Sequence, residues 1–238
     1  MHYPDVPLPP VAGGFILSQH RNHGDPWLAV SHFDAKKYHD ALCQAWAIPL
    51  PARLQQAVSK RRAEYLASRF LVRSVLAELG IPDFILTNAP DRSPCWPEGI
   101  RASLSHSAGV VVLAVSRQSV ALGVDVEQMM SETTARETAD MLMNDAEQQL
   151  LRTLPLPFSA AATLLFSLKE SLYKALWPQL HQPMEFHQAA LVSVDMAQQR
   201  ATLRLTRNFS EAYPAETLLQ AGFVWREEHV MTRLIHRQ

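Results

Sequence analysis

Leu164, Leu168, Leu172 and Leu176 recur every fourth residue, the spacing of a helix with one buried stripe, and predict a helix over residues 159 to 176. A second helical pattern runs from Pro51 to Leu79, where Gly80 suits the position after the last turn and Pro82 prevents continuation. Asp34 is placed to cap a helix reaching about Ala47. Helical pieces fill residues 133 to 153, with Asn144 or Asp145 as cap and Pro155 and Pro157 ending them. Shorter apolar runs read as strands over residues 27 to 33, 101 to 105, 109 to 115, 120 to 127, 189 to 194, 201 to 206, 223 to 226 and 230 to 235. Ser105 to Gly109 read as the turn between the second and third of these. Ser116 to Ser119 then turn the chain back, so 120 to 127 is expected to pair with 110 to 115 as a hairpin. Prolines and Gly99 make residues 88 to 99 a loop, and the first fourteen residues an extended arm.

Helices followed by antiparallel strands occur twice, which predicts an α+β fold of two similar halves, residues 1 to 117 and 118 to 238. The composition fits: 47% of the 238 residues are hydrophobic and 19% charged, enough apolar surface for a sizeable core. The longest strongly apolar run, Val110 to Val115, is too short to span a bilayer, and no basic segment followed by an apolar one opens the chain. A cytoplasmic monomer without membrane insertion is the expectation. Cys43 and Cys95 form no C-x-x-C pattern, so neither a disulfide framework nor a structural zinc site is indicated. A net charge of −1 supplies no basic field for nucleic acid, so any anion must be held by local clusters.

Four clusters of charged or polar residues stand out. Asp125 and Glu127 end an otherwise apolar strand. At i and i+2 they point to one face about 6.6 Å apart, close enough to converge on one divalent cation, although the wet end of a strand gives the same pattern. Glu170 and Lys174 share a helix face about 40° apart; alone they equally suit a surface ion pair. Arg62, Leu66, Arg69 and Arg73 place three arginines on one helical stripe, either solvated or set to bind phosphate through bidentate guanidinium contacts. Ser105, His106 and Ser107 put two hydroxyls and an imidazole at a polar turn. By contrast, His20-x-x-His23 offers only two ligands and makes a poor metal site.

Gly123-Val124-Asp125-Val126-Glu127, followed some forty residues on by Phe166-Ser167-x-Lys169-Glu170-Ser171-x-x-Lys174, resembles the surfactin-type 4′-phosphopantetheinyl transferases. Lys60 to Arg69, Trp96-Pro97, Ser103 to Ser107 and Lys174 to Pro178 are similar to the branch typified by enterobactin synthase component D. The resemblance spans roughly residues 35 to 190 and implies two pseudo-symmetric halves with the active site in the cleft between them. It implies magnesium held by Asp125, Glu127 and Glu170, and coenzyme A as substrate contacted through Ser105, His106 and Lys174. The anchor of the 3′-phosphate stays open among Arg61, Arg62, Arg69 and Arg92, because the family's cationic residues ahead of the long helix have no clear match here.

The implied reaction moves phosphopantetheine from coenzyme A to a serine of an apo acyl or peptidyl carrier protein, leaving 3′,5′-ADP. Three carboxylates without nitrogen or sulfur ligands suit magnesium on a pyrophosphate. Glu170 is the first candidate for the base that takes the serine proton, with a ligand role as the alternative. Lys174 would steady the pyrophosphate and Lys169 the leaving group, roles that are exchangeable at this level. Two other readings compete: another magnesium-dependent phosphoryl or nucleotidyl transferase, against which no P-loop occurs, and a non-catalytic carrier-binding module, against which every carboxylate and Lys174 are present.

Overall fold

The computed structural model describes residues 13 to 118 and 120 to 237, so most of the proline-rich arm lies outside the described residues. The fold is α+β, helices on antiparallel sheets, and the chain divides into two compact units, Met1–Gln118 and Ser119–Gln238.

In the first unit the elements run β1 (Ile16–Asn22), β2 (Trp27–Phe33), α1 (Ala41–Ala45), α2 (Ser59–Glu78), β3 (Thr87–Asn88), β4 (Pro94–Cys95), β5 (Arg101–Ser107) and β6 (Val110–Ser116). Four of these strands form an antiparallel sheet in the order β1-β2-β6-β5. Helix α2 lies on one face of it, its Leu66, Phe70, Leu71 and Val75 sharing a core with Ala29, Phe33, Val111 and Leu113. Strand β6 is valine-rich and buried along its whole length, as a central strand with both edges paired should be. Asp34 does cap, but the element it caps is a single 3-10 turn, Ala35–Lys37, which precedes the short α1. The sequence pattern missed β1, because its buried positions alternate as glutamine and arginine: Gln19 and Arg21 are buried, and Arg21 donates to Ser74 Oγ and pairs with Glu78 of α2.

The second unit contains β7 (Val120–Gln128), α3 (Glu132–Leu142), α4 (Asp145–Arg152), α5 (Phe158–Leu180), β8 (Ala189–Asp195), β9 (Arg200–Leu205), β10 (Leu218–Arg226) and β11 (His229–Arg237). Its antiparallel sheet has the order β7-β11-β10-β9-β8. The expected hairpin of β7 with β6 is therefore wrong. Strand β6 already has β2 and β5 on its two edges and offers no free ladder, whereas β7 pairs with β11 from the far end of the chain. Asn144 caps α4 through a capping box with Glu147.

Helix α5 packs across β7 and β11, and Gly123 lets it come close. A Cβ at that position would lie 2.7 Å from Ala175 N and would overlap Ser171 O, so the strand backbone rests directly on the helix. Ser167 and Thr232 add a polar tie between α5 and β11: the hydroxyls are 2.9 Å apart, and Thr232 Oγ1 also lies 2.8 Å from Ser167 O. The motif glycine thus sets the distance at which Asp125, two residues further along the same face of β7, meets α5.

Candidate active site

Asp125 pairs across the sheet with Thr232, and Glu127 with Val230, which places both carboxylates on the face of β7 turned towards α5. Asp125 is 1% exposed, and Lys174 Nζ donates to its Oδ1 at 2.6 Å. Glu127 is half-buried at the open end of the strand. Glu170, one helical turn before Lys174, shares this spot. Burial pushes its carboxyl above the usual carboxylate range; the Lys174 ammonium pulls it back and the Asp125 carboxylate pushes it up further. Two carboxylates and one ammonium are therefore within electrostatic reach in a partly dry place. Each has a neighbour of opposite sign, but the three charges do not cancel.

Lys169 is not part of this group. Its ammonium is buried and paired with Glu147 Oε1 at 2.8 Å, and it donates to Leu142 O at 2.7 Å and Phe186 O at 2.9 Å. Burial pulls its pKa below the usual lysine value, opposed by Glu147. Lys169, expected at the leaving group, is not brought together with Glu170 and Lys174 in the structure: consecutive helix residues diverge by 100°, and its ammonium faces Glu147. Its partner was not foreseen, because a glutamate in the third position of a helix reads as a cap; the capping box hid a buried ion pair.

In the first unit the arginine stripe separates into three environments. Arg62 Nη1 donates to both oxygens of Asp40 at 2.9 and 2.8 Å, and its guanidinium lies 5.8 Å from the Tyr38 ring centre. Arg69 is 7% exposed, stacks on Tyr65 at 4.4 Å and donates to Asn88 Oδ1, Leu86 O and Ser68 Oγ; burial lowers its pKa. Arg73 donates to Trp46 O. Arg61 is exposed and 3.5 Å from the buried Glu64, whose carboxylate is also 3.7 Å from His106 Nδ1.

Ser105 and His106 lie within β5 rather than in a turn, which is another correction. Ala108 and Gly109, with φ of 42° and 87°, supply the two left-handed residues of a tight hairpin, so the strand extends to Ser107 and consecutive side chains take opposite faces. His106 is thus grouped with Glu64 and Arg61, apart from Ser105. Arg92 is exposed on the β3–β4 connection, where its carbonyl accepts a bond from Asn88 Nδ2 at 2.8 Å. Asp40 and Asn88, which orient two of these cations, carried no motif in the sequence, and Glu64 lies in the Lys60 to Arg69 stretch with nothing there to mark it as a partner.

Residues 50 to 116 match the family model for the 4′-phosphopantetheinyl transferase N-terminal domain, and residues 121 to 232 match the 4′-phosphopantetheinyl transferase superfamily. Enterobactin synthase component D of Salmonella typhi is 36% identical over 207 residues, 86% of this chain and 84% of that protein. The chain belongs to the 4′-phosphopantetheinyl transferase superfamily. It is an enzyme that uses coenzyme A and transfers the phosphopantetheine group to carrier proteins. Enterobactin synthase component D of Escherichia coli strain K12 is 39% identical over 128 residues, 54% of this chain and 61% of that protein. The 4′-phosphopantetheinyl transferase PptT of Mycobacterium tuberculosis is 30% identical over 145 residues, 59% of this chain and 63% of that protein. The superfamily match covers β7 from its second residue, all of α5 and the start of β11 as far as Thr232, the elements around the Asp125, Glu170 and Lys174 group. Among the described residues, no helix is long and apolar enough to cross a membrane.

A phosphopantetheinyl transfer is generally metal-dependent, and the carboxylates fit a hard divalent cation in chemistry. All donors are oxygen, two come from alternate positions of one strand, and Asp125 already has a cation, the Lys174 ammonium, at 2.6 Å. Among the described residues no three His, Cys, Asp or Glu side chains form a ready-made cage.

Proposed function

We propose that this transferase acts with magnesium held by Asp125, Glu127 and Glu170, that Glu170 is its general base, and that Lys174 binds the pyrophosphate of coenzyme A. The observation that carries the reading is the pair of the buried Asp125 with the half-buried Lys174, with Glu170 beside it. When bound, magnesium would neutralise charge on the phosphate under attack and on the departing 3′,5′-ADP. The residues supply the rest. Asp125 and Glu127 present oxygens from a rigid strand. Lys174, paired with Asp125, exchanges or shares that partner for phosphate oxygens when substrate enters. Glu170, with raised proton affinity, takes the proton from the carrier serine hydroxyl as that oxygen bonds to phosphorus.

Arg62 and His106 of the first unit are the better candidates for the other phosphates of coenzyme A, because Arg69 is committed to the fold. Arg61 and Arg92 are exposed cations with weaker ties. The enterobactin synthase names among the relatives favour a siderophore-type carrier as acceptor, and a monomeric enzyme acting in the cytoplasm is part of the same proposal. The test incubates the protein with coenzyme A, magnesium and a panel of apo-carriers, and records which carriers gain one phosphopantetheine by mass. A gain that chelator abolishes and magnesium restores is expected on a siderophore-type carrier. Full transfer in the presence of excess chelator would overturn the metal assignment.

A further inference from the structure

Helix α5 buries mostly alanine and leucine on its packed faces. Apolar contact is non-directional, so such a surface resists separation better than it resists a few degrees of rotation about the helix axis. Rotation is what matters to Glu170 and Lys174. Their ends lie roughly 5–6 Å from the axis, so a turn of about 10° moves them by about 1 Å. A misplacement of that size can cost about 10²-fold in rate.

Lys169 supplies a directional constraint. An ammonium has three donors, and all three are met by Glu147 Oε1, Leu142 O and Phe186 O at 2.7 to 2.9 Å. Glu147 is held in turn, accepting from Asn144 N at 3.0 Å and Leu191 N at 2.8 Å. Through this one pair, the middle of α5 is tied to the end of α3, the start of α4, the segment before β8, and β8 itself. The pair's side chains are 2% and 1% exposed. A buried ion pair is weak as a source of stability, since apolar residues of similar volume often replace one at no loss. Orientation accounts for it better.

We propose that Lys169 and Glu147 are positioning residues of the transfer reaction: together they fix the rotation of α5 so that Glu170 and Lys174 face Asp125, and Lys169 does not touch coenzyme A. The inference rests on the reading of Glu170 and Lys174 as site residues. The experiment compares Lys169→Met, Glu147→Gln and the double variant for melting temperature, coenzyme A affinity by calorimetry, and kcat and KM with a carrier, below the melting temperature of every variant. Each variant should lose about 10–10²-fold in kcat, bind coenzyme A within about twofold of the parent, and show strong non-additivity, the double being no slower than the worse single. If a single variant fails to fold because it strands one buried charge, the double, which has none, carries the measurement.

A parental kcat in the folded double variant overturns the proposal. So does a large rise in Kd for coenzyme A in Lys169→Met that Glu147→Gln does not share, because that pattern means direct contact. Glu170→Gln and Lys174→Ala, measured alongside, separate the two ideas. If they are inactive while the Lys169 and Glu147 variants are unaffected, only the positioning role fails. If they are fully active, the reading of the site itself fails.

Discussion

Helices α2 and α5 make an instructive pair: each is the long helix of its unit, each packs on an antiparallel sheet, and each carries basic residues expected to bind phosphate. On α2 the cations are mostly absorbed by the fold, Arg69 and Arg73 by backbone and amide oxygens and Arg62 by an exposed aspartate. On α5 one lysine is absorbed in the same way, but Lys174 meets a buried carboxylate beside a second whose proton affinity is raised. Neutral acceptors satisfy a guanidinium and leave nothing to react. Two carboxylates around one ammonium leave a charge imbalance that a cation and a phosphate together can resolve. On the proposed reading the chemistry belongs to α5 and β7, and recognition is the role left to the α2 arginines.

The largest expected effect breaks that imbalance. Asp125→Ala removes the partner of Lys174, and transfer should fall by about 10²–10³-fold or more at every attainable magnesium concentration, with an unchanged far-ultraviolet circular dichroism spectrum. Near-native turnover with parental magnesium dependence would take Asp125 out of the site and erase the contrast between the two helices. Glu170→Gln sharpens it instead. As the base, Glu170 is worth about 10²–10⁴-fold in the chemical step, read by single-turnover transfer at saturating magnesium. Recovery of the parental rate with more magnesium would mean that Glu170 is a ligand only, because added metal repairs occupancy and cannot accept a proton.

Next in size are two stability effects, one on each side of the comparison. Gly123→Ala puts a methyl group into Ser171 O and Ala175 N, so β7 must move off α5; a loss of about 1–3 kcal/mol is expected, or more, since backbone is the obstacle. Arg69→Ala leaves Asn88 Oδ1 and Leu86 O short of a buried donor, a loss of about 1–3 kcal/mol. Urea titrations measure both. An Arg69→Ala protein of parental stability that had lost coenzyme A affinity would return Arg69 to the group of candidate phosphate anchors.

The long helices α2 and α5, the two-part α+β arrangement and the carboxylate-bearing strand were legible because apolar periodicity and a motif of fixed spacing express them directly. The failures have physical reasons. Strand β1 carries Gln19 and Arg21 at buried positions, so no apolar alternation announces it. The partner of β7 is set by which sheet edges stay free, a property of the whole fold rather than of neighbouring residues. Glu147, Asp40 and Asn88 decide what Lys169, Arg62 and Arg69 do, yet they lie 22, 22 and 19 residues from them in sequence, counting as 169 − 147, 62 − 40 and 88 − 69. A stripe of like charges gives the direction of side chains along a helix. It does not give their partners.

The smallest effect concerns the Arg62–Asp40 pair and asks whether any α2 arginine keeps a recognition role. Asp40 is 65% exposed and holds both its oxygens on one guanidinium nitrogen, so it competes with any phosphate for Arg62. Exposed pairs of this kind are worth about 0.2–1 kcal/mol. Asp40→Asn removes the competing charge and keeps an oxygen for the Tyr38 hydroxyl, so coenzyme A should bind about 1.4- to 5-fold more tightly. Arg62→Ala should do the reverse and remove the preference for coenzyme A over its analogue lacking the 3′-phosphate. Calorimetric titration of both ligands into the three proteins reads the outcome. If both variants bind the two ligands as the parent does, Arg62 and Asp40 form a surface ion pair only, and Arg62 contributes nothing to the substrate.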